Sequence, residues 1–136
     1  MNDQPTTAPA MSVTISRASD PQLVEGRRAF FTYRDLGVTD GTGGRMRAQI
    51  TAATAGMSRP TGWHRHICDM QFVFVLDGWL ELEFAGRDTV RLEKGDSVMI
   101  PGGTAHNELG TSDSFELLEV SVPARMGTEP CDPPAV

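Results

Sequence analysis

The chain has 136 residues and a formal net charge of −6. One domain is the simplest organisation for this length. The 12 basic residues are scattered along the chain, which argues against nucleic acid as a partner, because phosphate binding requires clustered Lys and Arg. No run approaches the roughly 20 apolar residues of a membrane-spanning helix, and residues 1–12 do not resemble a signal peptide. We therefore expect a cytoplasmic protein that binds neither nucleic acid nor membrane.

Residues 1–24 are predicted to form a flexible N-terminal arm. Residues 1–11 are low in hydrophobicity and contain Pro5 and Pro9, a composition typical of a disordered or loosely docked segment. Residues 12–16 read as a short β-strand that ends before Asp20-Pro21. Because so short a strand is stabilised only by pairing, we expect it to add to its own sheet or to exchange into a second copy.

Residues 25–124 contain short apolar runs separated by turns every 8–12 residues, a pattern that predicts an all-β sandwich or barrel. The aromatic-rich segment 28–34 favours a strand, and residues 37–44 favour a glycine-rich loop. Residues 45–52 alternate polar and apolar side chains, which predicts one face in solvent and the other packed. The sequence shows no convincing amphipathic helix.

Residues 71–76 are almost continuously apolar, which predicts a strand buried on both faces. Asp77-Gly78 predicts a tight hairpin turn into a strand at 79–84, whose alternation places Leu80, Leu82 and Phe84 inside. Further strands are predicted at 89–92, 97–100 and 114–122. Residues 125–136 are rich in proline and are expected to be a frayed C-terminal tail, so that one domain spans 25–124.

All three histidines of the chain lie in two stretches, with His64 and His66 in one and His106 in the other. In a strand, residues two apart share a face, so His64 and His66 should project together, with Arg65 opposite. If His106 closes the site from another strand, three imidazoles on one side of a metal ion leave positions open for water, substrate or O2. The pattern therefore predicts a metal site.

The two stretches resemble the two motifs of the cupin superfamily, of the small single-domain "cupin 2 conserved barrel" type. The first family motif is H-x-H-x(3,4)-E-x6-G, and the second is G-x5-P-x-G-x2-H-x3-N. The matching residues are His64-x-His66-x4-Gln71-x6-Gly78 and Gly95-x5-Pro101-x-Gly103-x2-His106, with Gly110 in place of the final Asn. The resemblance covers roughly residues 45–122. It implies a double-stranded β-helix (jelly-roll) barrel, a homodimer, and metal ligands at His64, His66, Gln71 and His106.

Gln71 departs from the family pattern, in which a glutamate usually occupies this position. Its amide oxygen could bind the ion directly, accept a hydrogen bond from a metal-bound water, or satisfy a histidine N–H. A neutral amide leaves an ion with its full +2 charge, which should acidify bound water and attract an anionic or enolisable chelating substrate. Fe(II) is the first choice of metal, with Ni, Mn and Zn as alternatives.

Three other side chains are candidates for the site. Glu119 lies in an apolar run and is a candidate general base if it faces inward; if its neighbours form the inner face instead, it is solvated, and the pattern favours this second reading. Cys68 could line the pocket as a redox-active thiol or fill a turn as a small apolar residue. Trp63 could form a pocket wall or cover the barrel rim.

The resemblance implies a small metal-dependent enzyme, dioxygenase-like, that acts on a small chelating acid, diketone or enol. Because the same fold hosts unrelated activities, two alternatives stay open. One is a non-catalytic module that binds a metal or a small molecule. The other is a non-redox isomerase or lyase in which the ion acts as a Lewis acid beside a side-chain base.

Overall fold

The computed structural model describes residues 10–26, 28 and 30–134. These residues form eleven β-strands and one four-residue helix, α1 (Val38–Gly41). The strands, in chain order, are β1 (Gln22–Val24), β2 (Thr32–Asp35), β3 (Arg47–Ala53), β4 (His64–Ile67), β5 (Met70–Asp77), β6 (Trp79–Phe84), β7 (Val90–Glu93), β8 (Ser97–Pro101), β9 (His106–Thr111), β10 (Phe115–Val122) and β11 (Gly127–Pro130). Within the described part of the chain, no helix is long and apolar enough to cross a membrane.

The strands form two antiparallel sheets. The six-stranded sheet has the order β1-β2-β3-β10-β5-β8, and the five-stranded sheet has the order β11-β4-β9-β6-β7. Buried apolar side chains from both sheets meet between them and form one core: Val73, Val75, Leu80, Leu82, Leu92, Phe115 and Leu117. Each such side chain contributes roughly 1.5–3 kcal/mol on burial. The predicted all-β fold, a single jelly-roll barrel, is therefore confirmed.

The predicted hairpin at Asp77-Gly78 is wrong, because the strands on either side of it do not pair. β5 pairs with β10 and β8 in the six-stranded sheet, whereas β6 pairs with β7 and β9 in the other. Gly78 adopts the left-handed φ of 77° that the turn requires, and the Trp79 N–H donates to Ser112 Oγ at 2.9 Å. The dipeptide thus makes the turn, but it carries the chain from one sheet to the other.

β5 alternates more strongly than the sequence predicts. Gln71, Val73 and Val75 are buried toward the other sheet. Phe72 and Phe74 are only half-buried, so the strand is covered on one face and partly open on the other. The physical reason is that only one layer of the same chain packs against this sheet.

β3 is oriented opposite to the simplest reading of its pattern. Its polar residues Arg47, Gln49 and Thr51 line a cavity inside the barrel. Their pairing partners on the adjacent strand β10 are, respectively, Ser121, Glu119 and Leu117. The apolar residues between them, such as Ile50, lie on the outer face. The expectation of a wet polar face is therefore wrong, since the polar face is directed inward.

Both ends of the chain differ from expectation. Residues 12–16 form no strand; instead Ser12 N–H donates to Gly41 O at 2.9 Å, and Thr14 Oγ1 donates to Gly37 O at 2.8 Å. Most of the segment expected to be disordered, residues 1–11, lies outside the described residues. At the end of the expected flexible arm of residues 1–24, β1 pairs with β2. The tail is not frayed throughout, because β11 pairs along the whole of β4.

Candidate metal centre and adjoining cavity

β4 presents its two histidines to the barrel interior, as the spacing of two predicts. His64 and His66 are 4% and 3% exposed, while Arg65 faces outward and pairs with Glu129 at 3.1 Å. β4 is held between β11 on one side and β9 on the other. The strand geometry therefore fixes both imidazoles on one wall of the barrel.

His106, the first residue of β9, completes the cluster. It is paired directly with His64 across the strands and is 1% exposed. The ring centroids lie 4.4 Å (His64–His106), 5.0 Å (His66–His106) and 5.1 Å (His64–His66) apart. One ligand atom from each ring lies within 4.8 Å of the others. A single ion with metal–nitrogen bonds of about 2.1 Å could therefore contact all three after small side-chain movements.

Hydrogen bonds at Nδ1 prepare the imidazoles to bind a metal through Nε2. His64 Nδ1 lies 2.7 Å from Gly62 O, and His106 Nδ1 lies 2.9 Å from Thr104 O. A carbonyl oxygen only accepts, so Nδ1 carries the proton in both rings, and in the neutral imidazole Nε2 keeps its lone pair. His66 Nδ1 lies 2.9 Å from the Thr128 hydroxyl. Metal-binding histidines typically have such partners at the second ring nitrogen.

The loop before β4 is anchored by a buried asparagine. Asn107, 6% exposed, accepts the Gly62 N–H at its Oδ1 at 2.9 Å, and its Nδ2 donates to Glu83 at 2.9 Å. Gly62 has a φ of 90°, in the left-handed region that favours glycine. Asn107 thereby holds the residue whose carbonyl oxygen orients His64.

The turn after His66 is held by the second motif. Gly102 N–H donates to Asp69 O at 2.9 Å, and Gly103 N–H donates to His66 O at 3.0 Å. A Cβ added at Gly102 would overlap the Cys68 carbonyl oxygen, so only glycine allows this approach. The two motifs identified in the sequence thus correspond to two loops that pack against each other.

Gln71 is buried on the inner face of β5, in the sheet opposite the histidines, with 6% of its surface exposed. Its Oε1 and the Nε2 of His64 are buried and have no hydrogen-bond partner among the described residues. Buried polar atoms are normally satisfied, so atoms without a partner indicate a bound ion, water or ligand. The donor set therefore fits a metal ion.

A cavity of about 190 Å³ adjoins the cluster. Gln71 and Thr128 line it, and Thr128 is also the hydrogen-bond partner of His66, but none of the three histidines is among its lining residues. Arg47, Gln49 and Glu119 make one part of the wall polar. The remaining wall carries further charged side chains, Glu25, Arg28 and Glu108, and an apolar part formed by side chains that include Val73, Leu80, Leu82, Phe115 and Leu117. A small ligand in the cavity would meet both kinds of surface.

Comparison with known proteins identifies the family. Residues 54–121 match the model of the cupin domain family, which is half of the chain. The chain belongs to the cupin domain family. This cupin is 39% identical over 44 residues to the uncharacterized protein YdbB of Bacillus subtilis (strain 168), a match that covers 32% of the chain but only 39% of YdbB.

Two solved structures are similar to this cupin in fold. The polyketide cyclase RemF from Streptomyces resistomycificus shares 22% identity at a TM-score of 0.65, covering 84% of this chain and 82% of RemF. Salicylate 1,2-dioxygenase from Pseudoaminobacter salicylatoxidans shares 20% identity at a TM-score of 0.57, covering 75% of this chain and 29% of the dioxygenase. Identities this low show the fold alone.

Glu119 faces the inside of this cupin, so the solvated reading favoured by its sequence is wrong. It lines the cavity, and its Oε2 accepts a hydrogen bond from Gln49 Nε2 at 3.2 Å. The outward residues Leu118 and Val120 remain half-buried, which explains why hydrophobicity alone did not separate the two faces.

The other two candidates have weaker links to the site. Burial and the neighbouring Asp69 carboxylate raise the pKa of the Cys68 thiol above its ordinary value, which lowers the thiolate fraction and disfavours a nucleophilic role. Trp63 is not among the described residues that line the cavity.

Several site residues escaped the sequence reading. The alternation in residues 45–52 does not predict that Arg47 and Gln49 face inward, Thr128 lies in a segment expected to be frayed, and Asn107 occupies an unspecified position of the second motif. The alternation in residues 45–52 indicates that the strand has two different faces, but not which of them is directed inward.

Proposed function

We propose that this protein is a small metal-dependent cupin enzyme, dioxygenase-like, that acts on a small chelating acid, diketone or enol. The observation that carries the proposal is the buried histidine cluster with its Nδ1 hydrogen bonds. Gly62 O and Thr104 O bind Nδ1 of two rings at 2.7 and 2.9 Å, which leaves Nε2 of those rings as a metal ligand. A merely structural cluster of histidines would not require this arrangement.

The proposed ligands are His64, His66 and His106, with Oε1 of Gln71 as the fourth. The set is neutral and has open positions, which makes Fe(II) our first choice, with Ni, Mn and Zn as alternatives. When bound, such an ion supplies Lewis acidity to a chelating substrate, and a redox-active one also supplies electrons to O2. The chain's own contribution is to fix the ring orientations and to exclude bulk water, since each histidine is at most 4% exposed.

The orientation of Glu119 favours a second candidate, a Lewis-acid isomerase or lyase. Its carboxylate lines the cavity, with Oε2 held by Gln49 at 3.2 Å. A carboxylate fixed beside an enolisable substrate can accept a proton from the carbon next to the carbonyl group and return it elsewhere. In this candidate Glu119 is the general base and Gln49 positions it.

We also propose that the protein is a homodimer whose contact includes the segment before β1. Met11, Val13 and Ile15 are 59%, 90% and 74% exposed, while Ser12 and Thr14 between them are hydrogen-bonded to Gly41 and Gly37. The segment is therefore attached to its own chain through one side and presents apolar side chains on the other. A second copy would cover them, as large exposed apolar surfaces usually mark an interface.

Metal analysis tests the proposal directly. Protein purified without added metal, and protein reconstituted with Fe(II), Ni, Mn or Zn, is analysed for metal content together with His106→Ala. Leu92→Val is the matched control, because Leu92 is a buried core residue whose truncation lowers stability by about 0.5–1.5 kcal/mol without touching the histidines. We expect about one ion per chain in wild type and control and almost none in His106→Ala. Wild-type protein that retains no stoichiometric metal would reject the proposal.

Activity assays then separate the candidate functions. O2 consumption with acetylacetone or small 2-oxo acids, by the iron-loaded protein, supports the dioxygenase. Exchange of the acetylacetone C–H for deuterium without O2 consumption, lost in Glu119→Gln, supports the isomerase or lyase. A metal-loaded protein with neither activity on any of these compounds points to the binding module.

A further inference from the structure

Arg47 is a cavity residue whose charge has no partner in the described part of the chain. Its Nε is buried without a hydrogen bond there, and none of the ion pairs among the described residues includes it. The other arginine of the cavity wall, Arg28, lies 3.9 Å from the Glu108 carboxylate. Arg47 is half-buried and lines the cavity, and a buried donor without a partner is costly, so an anionic ligand in the cavity would satisfy its Nε.

Arg47 lies in the same row as Gln71, on the far side of Ser121. The pairing of β3, β10 and β5 places Arg47, Ser121 and Gln71 side by side. With strands about 4.8 Å apart, the two outer Cα atoms are separated by roughly 10 Å. Ser121 between them is small and fully buried, with its Oγ bonded to Ala124 O at 3.3 Å. Arg47 and Gln71 both line the cavity, so a small ligand inside it can contact both residues.

Polarity decreases away from this row along β3, β10 and β5, while a separate part of the lining carries Glu25 and the Arg28–Glu108 pair. The next row contains Gln49, Glu119 and Val73, and the one after it contains Thr51, Leu117 and Val75. Leu80, Leu82 and Phe115 continue the apolar wall. A ligand with one charged end and an apolar body matches this order.

The charge balance of the cavity specifies when an anion binds most tightly. The described lining residues include two arginines and three glutamates, which leaves one net negative charge. A divalent ion at the neighbouring histidines turns this balance to one net positive charge, so this step rests on the proposed function. Of the glutamates, Glu108 is already paired with Arg28, and Glu119 accepts from Gln49.

From these observations we infer that the cavity binds a small monocarboxylate with an apolar body. Its carboxylate lies on Arg47, in the row that also holds Gln71, and its apolar body lies against Leu117 and Phe115. Arg47 is thus the residue that selects acids over neutral molecules of the same shape. A cavity of about 190 Å³ limits the ligand to the size of a single ring or a short branched chain.

Isothermal titration calorimetry of the full chain, with and without bound metal, tests this site. The ligands are benzoate and isobutyrate, each compared with its amide, in a buffer free of carboxylates. Arg47→Gln is compared with Arg34→Gln. Arg34 is the matched control because its Nε is also buried without a partner among the described residues, but it lies on β2 outside the cavity lining and donates to Ser16 at 3.2 Å.

We expect the metal-loaded wild type to bind at least one acid, more tightly than its amide. Arg47→Gln should weaken that binding about 10- to 100-fold, the usual effect of losing a hydrogen bond to a charged group, whereas Arg34→Gln should leave it within about threefold. Arg47→Lys keeps the charge and should lose less than Arg47→Gln. If Arg47→Gln does not fold, the acid–amide difference and Arg47→Lys decide the question.

Absence of acid binding, equal binding of acid and amide, or equal affinities of Arg47→Gln and Arg34→Gln would overturn the inference. These results differ from failure of the proposed function. Acid binding that depends on Arg47 in a protein that holds no metal supports the carboxylate site and refutes the metal enzyme. A metal-loaded protein whose acid binding does not depend on Arg47 supports the metal enzyme and refutes the carboxylate site.

Discussion

Asn107→Ala should weaken both the fold and the metal site, because Asn107 anchors the loop that orients His64. The substitution removes the Gly62 N–H bond at 2.9 Å, the bond to the Glu83 carboxylate at 2.9 Å and a weaker contact with the Thr61 hydroxyl at 3.4 Å. A neutral hydrogen bond contributes about 1 kcal/mol and one to a charged group about 1.5–3 kcal/mol. We therefore expect the free energy of unfolding to fall by about 2–4 kcal/mol.

The same substitution should lower metal affinity about 10- to 100-fold, as loss of an outer hydrogen-bond partner typically does. Gly62 O, which lies 2.7 Å from His64 Nδ1, would lose the anchor of its loop. Urea unfolding of the metal-free protein measures the first effect, and competition with a chelator of known affinity measures the second.

Glu83→Gln is the matched control for this prediction. A glutamine oxygen can still accept from Asn107 Nδ2, so only the charge is lost, and we expect a change of at most about 1 kcal/mol in stability with unchanged metal affinity. If Asn107→Ala unfolds more easily but binds metal as tightly as wild type, then His64 is oriented by other contacts and the reasoning is refuted.

Three further predictions concern other parts of the molecule. Gly102→Ala should destabilise the protein by about 1–3 kcal/mol through overlap with the Cys68 carbonyl, whereas Gly127→Ala, which meets only ordinary contacts with Ile67 from 3.4 Å, should not; equal unfolding midpoints in urea would contradict this. Thr128→Val should reduce metal affinity about 10- to 100-fold by removing the hydroxyl 2.9 Å from His66 Nδ1, and Thr128→Ser should retain it in the same chelator competition. Val13→Asp should convert the proposed dimer into a monomer by light scattering after gel filtration, and a wild-type monomer would contradict the proposed interface.

The sequence was sufficient to predict the barrel and the grouping of the histidines. Short strands separated by turns specify an all-β fold, and the spacing of His64 and His66 fixes their common face whatever the rest of the chain does. Both of these inferences depend only on local geometry. The place of His106 beside the pair requires β4 to pair with the distant β9, and it was implied by the resemblance to the cupin motifs.

Pairing between distant segments explains most of the errors. The turn at Asp77-Gly78 is encoded locally, but whether the flanking strands pair is decided by β8, β9 and β10, which are remote in sequence. Likewise, residues 127–130 have little apolar content and are ordered by pairing with β4. The inward polar row that begins at Arg47 could not be assigned, because alternation defines two faces without saying which one encloses the cavity.

The two sheets carry different groups of site residues, which has a consequence for how this barrel could be altered. The histidines stand on the five-stranded sheet, whereas Arg47, Gln49 and Glu119 stand on the six-stranded one. The three histidines and Arg47 therefore stand on separate walls, and Gln71 stands with Arg47 on the six-stranded sheet. Exchanging side chains along β3 and β10 offers a route to new substrates that leaves the opposite wall, and the ion it is proposed to hold, in place.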